Sequence, residues 1–376
     1  MDTFKLTSWN VEHADKLIDR LADADPGRKR KAERRFEAIR DEIAALDADI
    51  LFVGEGPNGE VRARAFFEQA APGYDLVVRG TDDRRAYGMS GTDQTTGRQW
   101  LWFLVKRDRG INASLLHLDI WQHHTEQNSN GAHKNGRWDV SFPKLAGDHL
   151  EFEIDRNHRH WRHPQVLQVE IGGASMEIVG CHLKSKYTRV RPQGDASDPL
   201  FFENNQGLVA DVIKARVKIS TECADVRHYI DQRFEEDANA AIIVAGDLND
   251  GPGKEVIERR FLYHDLISTL QGEVFFARRF LNHALFDLEE SERWTVFFKD
   301  RIDPGRNPRI LLDHILFSQS LTGRDGDTKA AYRARPGGGY VEHDVHHAIT
   351  GPRPRYAMTS DHKPVSMFFD RRQPGG

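Results

Sequence analysis

The stretch GDLND, Gly246 to Asp250, stands directly behind the apolar run AIIVA. A buried strand that stops there delivers two carboxylates and a carboxamide to the edge of a core. The pattern recurs. Asn10 closes FKLTSWNV, Glu55 closes DILFVGEG, and His182 closes the second arm of VLQVEIGGASMEIVGCHLKSK. Asp313 opens DHILF, and Asp361 and His362 stand just ahead of the last apolar run. Taken singly, each reads as a cap or a solvated loop residue. Taken together, the types are complementary. Glu55 and Asp361 offer oxygens suited to a hard cation such as Mg²⁺. His182 and His362 can donate to a phosphate oxygen, and Asp313 can hold a histidine in one tautomer and favour its charged form. Asp247 and Asn249 are two apart, so in an extended chain both point to one face. This is a donor and acceptor set for metal-assisted phosphoryl transfer.

Such a set needs strands to carry it. FKLTSWNV (4–11) alternates apolar and polar residues and predicts a strand. DILFVGEG (49–56), WLWFLVKRD (100–108), AIIVAGD (241–247), RILLDHILFS (309–318) and HKPVSMFF (362–369) predict five more. Residues 166–186 predict a hairpin turning at Gly-Gly-Ala-Ser. In RKRKAERRFEAIRDEIAALDA, the residues Ala32, Phe36, Ile39, Ile43 and Leu46 recur at helical spacing. Residues 201–236 predict one long helix with Leu208, Val212, Ala215 and Ile219 on one side. The polar segment 109–163 predicts an extended insertion, and the Gly-, Arg- and Pro-rich segment 322–357 a long loop. Neither shows an apolar hairpin. Strands flanked by helices predict a layered α/β fold.

Composition narrows the function classes. The chain has 376 residues, 39% hydrophobic and 30% charged, with a net charge of −5. That charge argues against a broad basic surface for duplex binding, but not against a nucleic-acid substrate held beside bound metal. Two cysteines, Cys181 and Cys223, support neither a zinc cluster nor a disulfide framework. With no secretory signal or membrane-length apolar run in the sequence, the expectation is a cytoplasmic chain.

The motifs SWNVEH, FVGEG, GCHLKSK, VAGDLND, LLDHILFS and TSDHKPV occur in this order. Together they resemble the endonuclease/exonuclease/phosphatase superfamily of metal-dependent phosphodiesterases, along residues 4–369 and weakly across 109–163. The resemblance implies a single domain (1–376) with a four-layer α/β sandwich, two mixed sheets face to face and helices outside. It implies a site on strand-end loops at one sheet edge, with Mg²⁺ as cofactor and Mn²⁺ as a substitute. Asn10, Glu55 and Asp361 match the family's metal-site positions. His182 matches the histidine at the scissile phosphate. Asp247 and Asn249 match the pair that positions water and a phosphate oxygen, and Asp313 and His362 the Asp-His pair. Two departures stand out. Gly54 replaces the Gln usual before the glutamate, and His314 stands where Tyr is frequent.

Lys184 and Lys186 are candidate substrate contacts or, alternatively, solvent-facing lysines. RKRKAERR (28–35) reads as a phosphate contact or as the wet face of a helix, and Trp9 and Tyr187 as base-stacking or core aromatics. His158, His160 and His163, like His346 and His347, read as solvated loop residues rather than zinc ligands. The resemblance implies a nuclease on DNA or RNA, with nucleic acid as partner and no protein partner. Two alternatives stay open: a phosphatase or phospholipase-like enzyme on phosphoinositide, sphingolipid or a small phosphodiester, and an inactive binding module of the same fold.

Overall fold

The computed structural model describes residues 1–89, 97–128, 138–261, 265–323 and 330–373. Its strands in chain order are β1 (Thr3–Asn10), β2 (Ile50–Gly56), β3 (Tyr74–Val77), β4 (Trp100–Lys106), β5 (Ile111–Leu115), β6 (Trp138–Ala146), β7 (His149–His158) and β8 (Gln165–Ile171). There follow β9 (Ala174–His182), β10 (Ile242–Asp247), β11 (Asn282–His283), β12 (Val296–Phe297), β13 (Arg309–Ile310), β14 (Asp313–Phe317), β15 (Tyr332–Val341) and β16 (Val365–Arg371). The helices are α1 (Ala14–Leu21), α2 (Pro26–Leu46), α3 (Glu60–Ala70), α4 (Asp119–Asn128), α5 (Phe201–Asn204), α6 (Gln206–Glu236), α7 (Val256–Phe261), α8 (Leu266–Gln271) and α9 (His343–Thr350).

Two six-stranded sheets form the centre, in the orders β15-β16-β1-β2-β4-β3 and β11-β14-β10-β9-β8-β5. Each is mixed in the same way. A central parallel pair, β1 with β2 and β10 with β9, is flanked by antiparallel strands. The parallel strands of each sheet end at one edge, where the antiparallel neighbours begin. The sheets pack face to face through residues such as Phe52, Phe103, Ile178, Ile243, Ala245 and Ile315. The rings of Phe52 and Phe103 lie 5.0 Å apart. Gly180 is required here, since a Cβ would stand 2.3 Å from Phe52. The outer face of the second sheet, through Val179, Ile242, Val244 and Leu316, packs on Ile219, Val226 and Ile230 of α6. Helices α1, α2 and α3 bury Leu17, Ile39, Ile43, Phe66 and Phe67 with the first sheet.

Alternation along each strand sets what the edge presents. In β10, Ile243 and Ala245 face the other sheet while Ile242 and Val244 face α6. Asp247 continues the inward set. By the same count His182 continues Ile178 and Gly180, and Asp313 precedes Ile315 and Phe317.

The structure departs from the sequence expectations in several places. The run 309–318 is not one strand but β13 and β14, because Thr295 Oγ accepts the Leu312 and Asp313 N–H groups and breaks the ladder. The long helix divides at Asn205, whose side chain bonds to Phe201 O, to Gln193 O and to the Gln193 N–H. The expected loop 322–357 holds the edge strand β15 and helix α9. The run RARPGGG hides that strand, but an edge position tolerates Pro, and its register shifts between Ala334 and Gly339. The insertion 109–163 holds β5, α4 and the hairpin β6–β7. Phe142 of that hairpin is buried under Lys214 of α6, 4.2 Å from its ring. The opposite face exposes Leu145, Leu150, Phe152 and Ile154, so an apolar hairpin exists after all. Charged residues alternating with these four conceal it in the sequence. Residues 129–137 of the insertion and 324–329 of the loop lie outside the described residues. Among the described residues no helix is long and apolar enough to cross a membrane.

Candidate active site

Both sheets contribute three side chains to one edge. From the first come Asn10 at the end of β1, Glu55 near the end of β2, and His362 ahead of β16; from the second come His182, Asp247 and Asp313. Register brings the last three together, with Asp247 of β10 opposite His182 on one side and Asp313 on the other. Glu55 has the wrong parity, since Phe52 is the inward residue. A left-handed backbone at Glu55 (φ 54°) and a register shift against β4 between Val53 and Gly56 turn its carboxylate to the edge. Strained non-glycine backbone gathers here, also at Glu12 (φ 45°), His13 (φ 56°) and Asn249 (φ 50°).

His362 Nδ1 lies 2.8 Å from Asp313 Oδ2, and its Nε2 lies 3.8 Å from Asp247 Oδ2. Burial by itself would push this imidazole down. The carboxylates of Asp313 and Asp247 outweigh it and raise the group to about 10. Asp247 accepts from Asn10 Nδ2 at 3.1 Å and from the Asn249 N–H at 2.9 Å. Its burial raises its pKa, against the pull of His362. His182 Nε2 stands 3.5 Å from Asp247 Oδ2 and 3.9 Å from Glu55 Oε1. Burial, reinforced by Arg162, holds His182 well below the ordinary histidine value, and so neutral. Glu55 behaves oppositely. Burial would raise it, but the His13 imidazole 2.9 Å away, together with the Arg162 guanidinium, holds it well below the carboxylate range.

Asp247, Asp313 and His362 bring ligand atoms within 4.8 Å of one another, close enough to hold a metal. A cationic imidazole has no free lone pair, so this trio is better matched to proton and charge handling. Carboxylates crowd the neighbouring corner. Glu12 is raised by burial and then by Asp361 and Glu55, a repulsion that a divalent ion would relieve. Asn10, Glu55, Asp361 and Glu12 carry oxygen donors of the kind a hard cation takes, but among the described residues the acidic and histidine groups close enough to share one ion are Asp247, Asp313 and His362. Asp361 is largely exposed, its Oδ1 4.0 Å from His362 Nε2.

Asn249 stands beside Asp247 by a route other than the one the sequence suggests. Its left-handed backbone excludes an extended Asp-x-Asn face, and its Nδ2 turns to Leu183 O at 2.9 Å. The two lysines differ. Lys184 is half-buried, and its Nζ donates to Ser185 O. Lys186 does not fit the expected phosphate contact. Its ammonium is caged by Asp250, Glu255 and Glu258 at 2.7, 2.9 and 2.9 Å.

Other expectations shift as well. His160 is fully buried with its Nε2 3.1 Å from Asp225, and His346 is buried against Glu42 at 2.8 Å, so neither is a solvated loop residue. Both sit where burial is set by distant strands and helices, which local polarity cannot reveal. Trp9 is core, its indole N–H donating to His362 O, and Tyr187 is exposed. In RKRKAERR only Ala32 and Arg35 are buried, and Arg35 ties Val11 O to Thr359 O across two site loops. Cys181 is a buried strand residue, as expected. Glu12, His13 and Arg162 were missed. The first two follow Asn10 directly in SWNVEH, a signal available in the sequence. Arg162, buried and donating to His182 O at 3.2 Å, lies in a segment without periodicity.

A cleft of about 790 Å³ opens from Asn249, Asp361 and His362 between segments 185–192 and 296–312.

No protein-family model and no curated protein matches the sequence. Solved structures do superpose on it. They include an endonuclease/exonuclease/phosphatase from Bacteroides vulgatus (12% identity, TM-score 0.49, covering 99% of this chain and 100% of that one). Truncated Caenorhabditis elegans TDP2 superposes at 13% identity and TM-score 0.48, covering 98% and 97% of the two chains. The human Nocturnin catalytic domain does so at 16% and 0.47, covering 99% and 94%. The chain's own two six-stranded sheets and flanking helices form the four-layer α/β sandwich that the motif resemblance implies.

Proposed function

We propose that this chain is a metal-dependent phosphodiesterase, a nuclease acting on DNA or RNA. The observation that carries the proposal is the buried edge where Asp247, Asp313 and His362 converge beside Glu55 and His182. Mg²⁺ bound by Asn10, Glu55 and Asp361 would neutralise a non-bridging phosphate oxygen and the charge that builds on it. The protein's own groups divide the rest. Asp313 holds the His362 Nδ1–H and keeps the ring cationic, leaving Nε2–H to donate to the phosphate. Neutral His182 offers a second donor. Asp247, oriented by Asn10 and the Asn249 N–H, accepts a proton from the attacking water. Its raised pKa suits a general base. The apolar hairpin β6–β7 does not line the cleft, so it gives no support to a lipid substrate at the reacting centre.

Hydrolysis of bis-p-nitrophenyl phosphate tests this. Turnover is expected with Mg²⁺, abolished by EDTA, and reduced by about 10²–10³-fold in Asp247→Ala and in His362→Ala. Equal rates in both variants and the parent would refute the site.

A further inference from the structure

We propose that the cleft beside His362 is a binding track for a flexible single strand of nucleic acid, in which four cations meet flanking phosphates and two aromatic rings meet bases. The inference rests on the phosphodiesterase reading and adds the substrate's form. Two kinds of positive charge line the cleft. Lys186, Arg216 and Arg306 are neutralised within a network with Asp250, Glu255 and Glu258. Arg189, Arg191, Lys299 and Arg301 also line it. These four are exposed and have no carboxylate partner among the described residues. By contrast Arg107, Arg227, Arg335 and Arg353, outside the cleft, pair with nearby carboxylates.

The two cationic loops are braced. The first is tied by Thr188 Oγ to Asp211 and by the Gln193 N–H to Asn205 Oδ1 at 2.8 Å. The second is tied by the Phe298 N–H to Pro308 O at 2.8 Å and by Arg306 to Glu255 at 2.8 Å. Between the cations stand Tyr187 and Phe298, 69% and 46% exposed. Unpaired cations interleaved with exposed aromatics in a groove are how proteins hold strands whose bases are free to stack. A duplex keeps its bases stacked internally and leaves those rings without partners.

Fluorescence anisotropy with a labelled single-stranded oligonucleotide in EDTA reads the cleft without catalysis. The parent chain should bind the single strand more tightly than the matching duplex. Arg189→Glu/Arg301→Glu should weaken single-strand binding at least about tenfold and flatten its salt dependence by about 0.7 per lost phosphate contact. Tyr187→Ala should weaken it at unchanged salt slope. With Mg²⁺, kcat/KM on the oligonucleotide should fall at least about tenfold further than on bis-p-nitrophenyl phosphate in the charge-reversed variant. Tighter duplex binding, equal binding by variant and parent, or capture of anionic phospholipid vesicles in place of oligonucleotide would overturn the inference. Failure to hydrolyse bis-p-nitrophenyl phosphate would instead count against the phosphodiesterase reading, because binding in EDTA does not depend on it.

Discussion

The proton inventory of the site turns on Asp313. Its Oδ2 bonds His362 Nδ1 at 2.8 Å, and its charge helps to raise that imidazole to about 10 despite burial. In the proposed mechanism His362 acts as a cation, so activity should hold up to that pH and fall above it. The same mechanism uses Asp247 as a carboxylate, and its raised pKa then places the acid limb above the ordinary carboxylate value of about 4. Replacing Asp313 by Asn removes a negative charge from both neighbours. The His362 pKa must drop, so the alkaline limb of kcat should move to lower pH while kcat falls by about 100-fold. A pH–rate profile checks this, and an alkaline limb that stays in place would show that His362 does not carry it. Gly54 stands where the motif resemblance would place Gln. A Cβ there would meet Asn10 and His182 only at ordinary contact distances, 3.6–3.9 Å, and His182 Nδ1 is buried with no hydrogen-bond partner. With glycine at this position, Glu55 is free to reach the edge through its own left-handed backbone.

At the scale of elements, strands with strong patterns were legible and edge or interrupted ones were not. AIIVAGD and FKLTSWNV carry an apolar residue at most inward positions and a polar one only toward the site end or the outer face, and β10 and β1 follow them closely. By contrast β15 runs through Pro336 and three glycines, and the break at Leu311–Leu312 comes from Thr295, sixteen or more residues away in the chain. The gathering of Asn10, Asp247, Asp313 and His182 was legible because polar residues at the ends of adjacent buried strands face a shared edge. The role of Lys186 was not, since its three carboxylates come from the turn after β10 (Asp250), the residue before α7 (Glu255) and α7 itself (Glu258). That cage yields a stability prediction. Lys186→Met leaves Asp250, Glu255 and Glu258 buried with a cation removed, and should cost about 3–5 kcal/mol. Urea denaturation measures it, and an unchanged midpoint would mean that Arg216 and Arg306 suffice.

At the scale of the whole molecule, the site exists only while the two sheets stay packed. The first sheet alone holds Asn10, Glu55 and His362; the second alone holds His182, Asp247 and Asp313. Gly180 lies at their contact, where a Cβ would stand 2.3 Å from Phe52 and 2.7 Å from Phe103. Gly180→Ala should therefore force the sheets apart, costing about 1–3 kcal/mol. The folded variant should also lose turnover, though no catalytic group has been touched. Full activity in a destabilised Gly180→Ala protein would mean that the site tolerates sheet separation. The most direct test of the central claim, that groups from both sheets act on one phosphorus, is a double-mutant comparison. Hydrolysis of bis-p-nitrophenyl phosphate is measured for Asp247→Asn, His362→Gln and the pair. Groups serving one reaction centre are strongly non-additive, so the double variant should lose little beyond the worse single variant, about 10²–10³-fold. Losses that multiply would contradict the account.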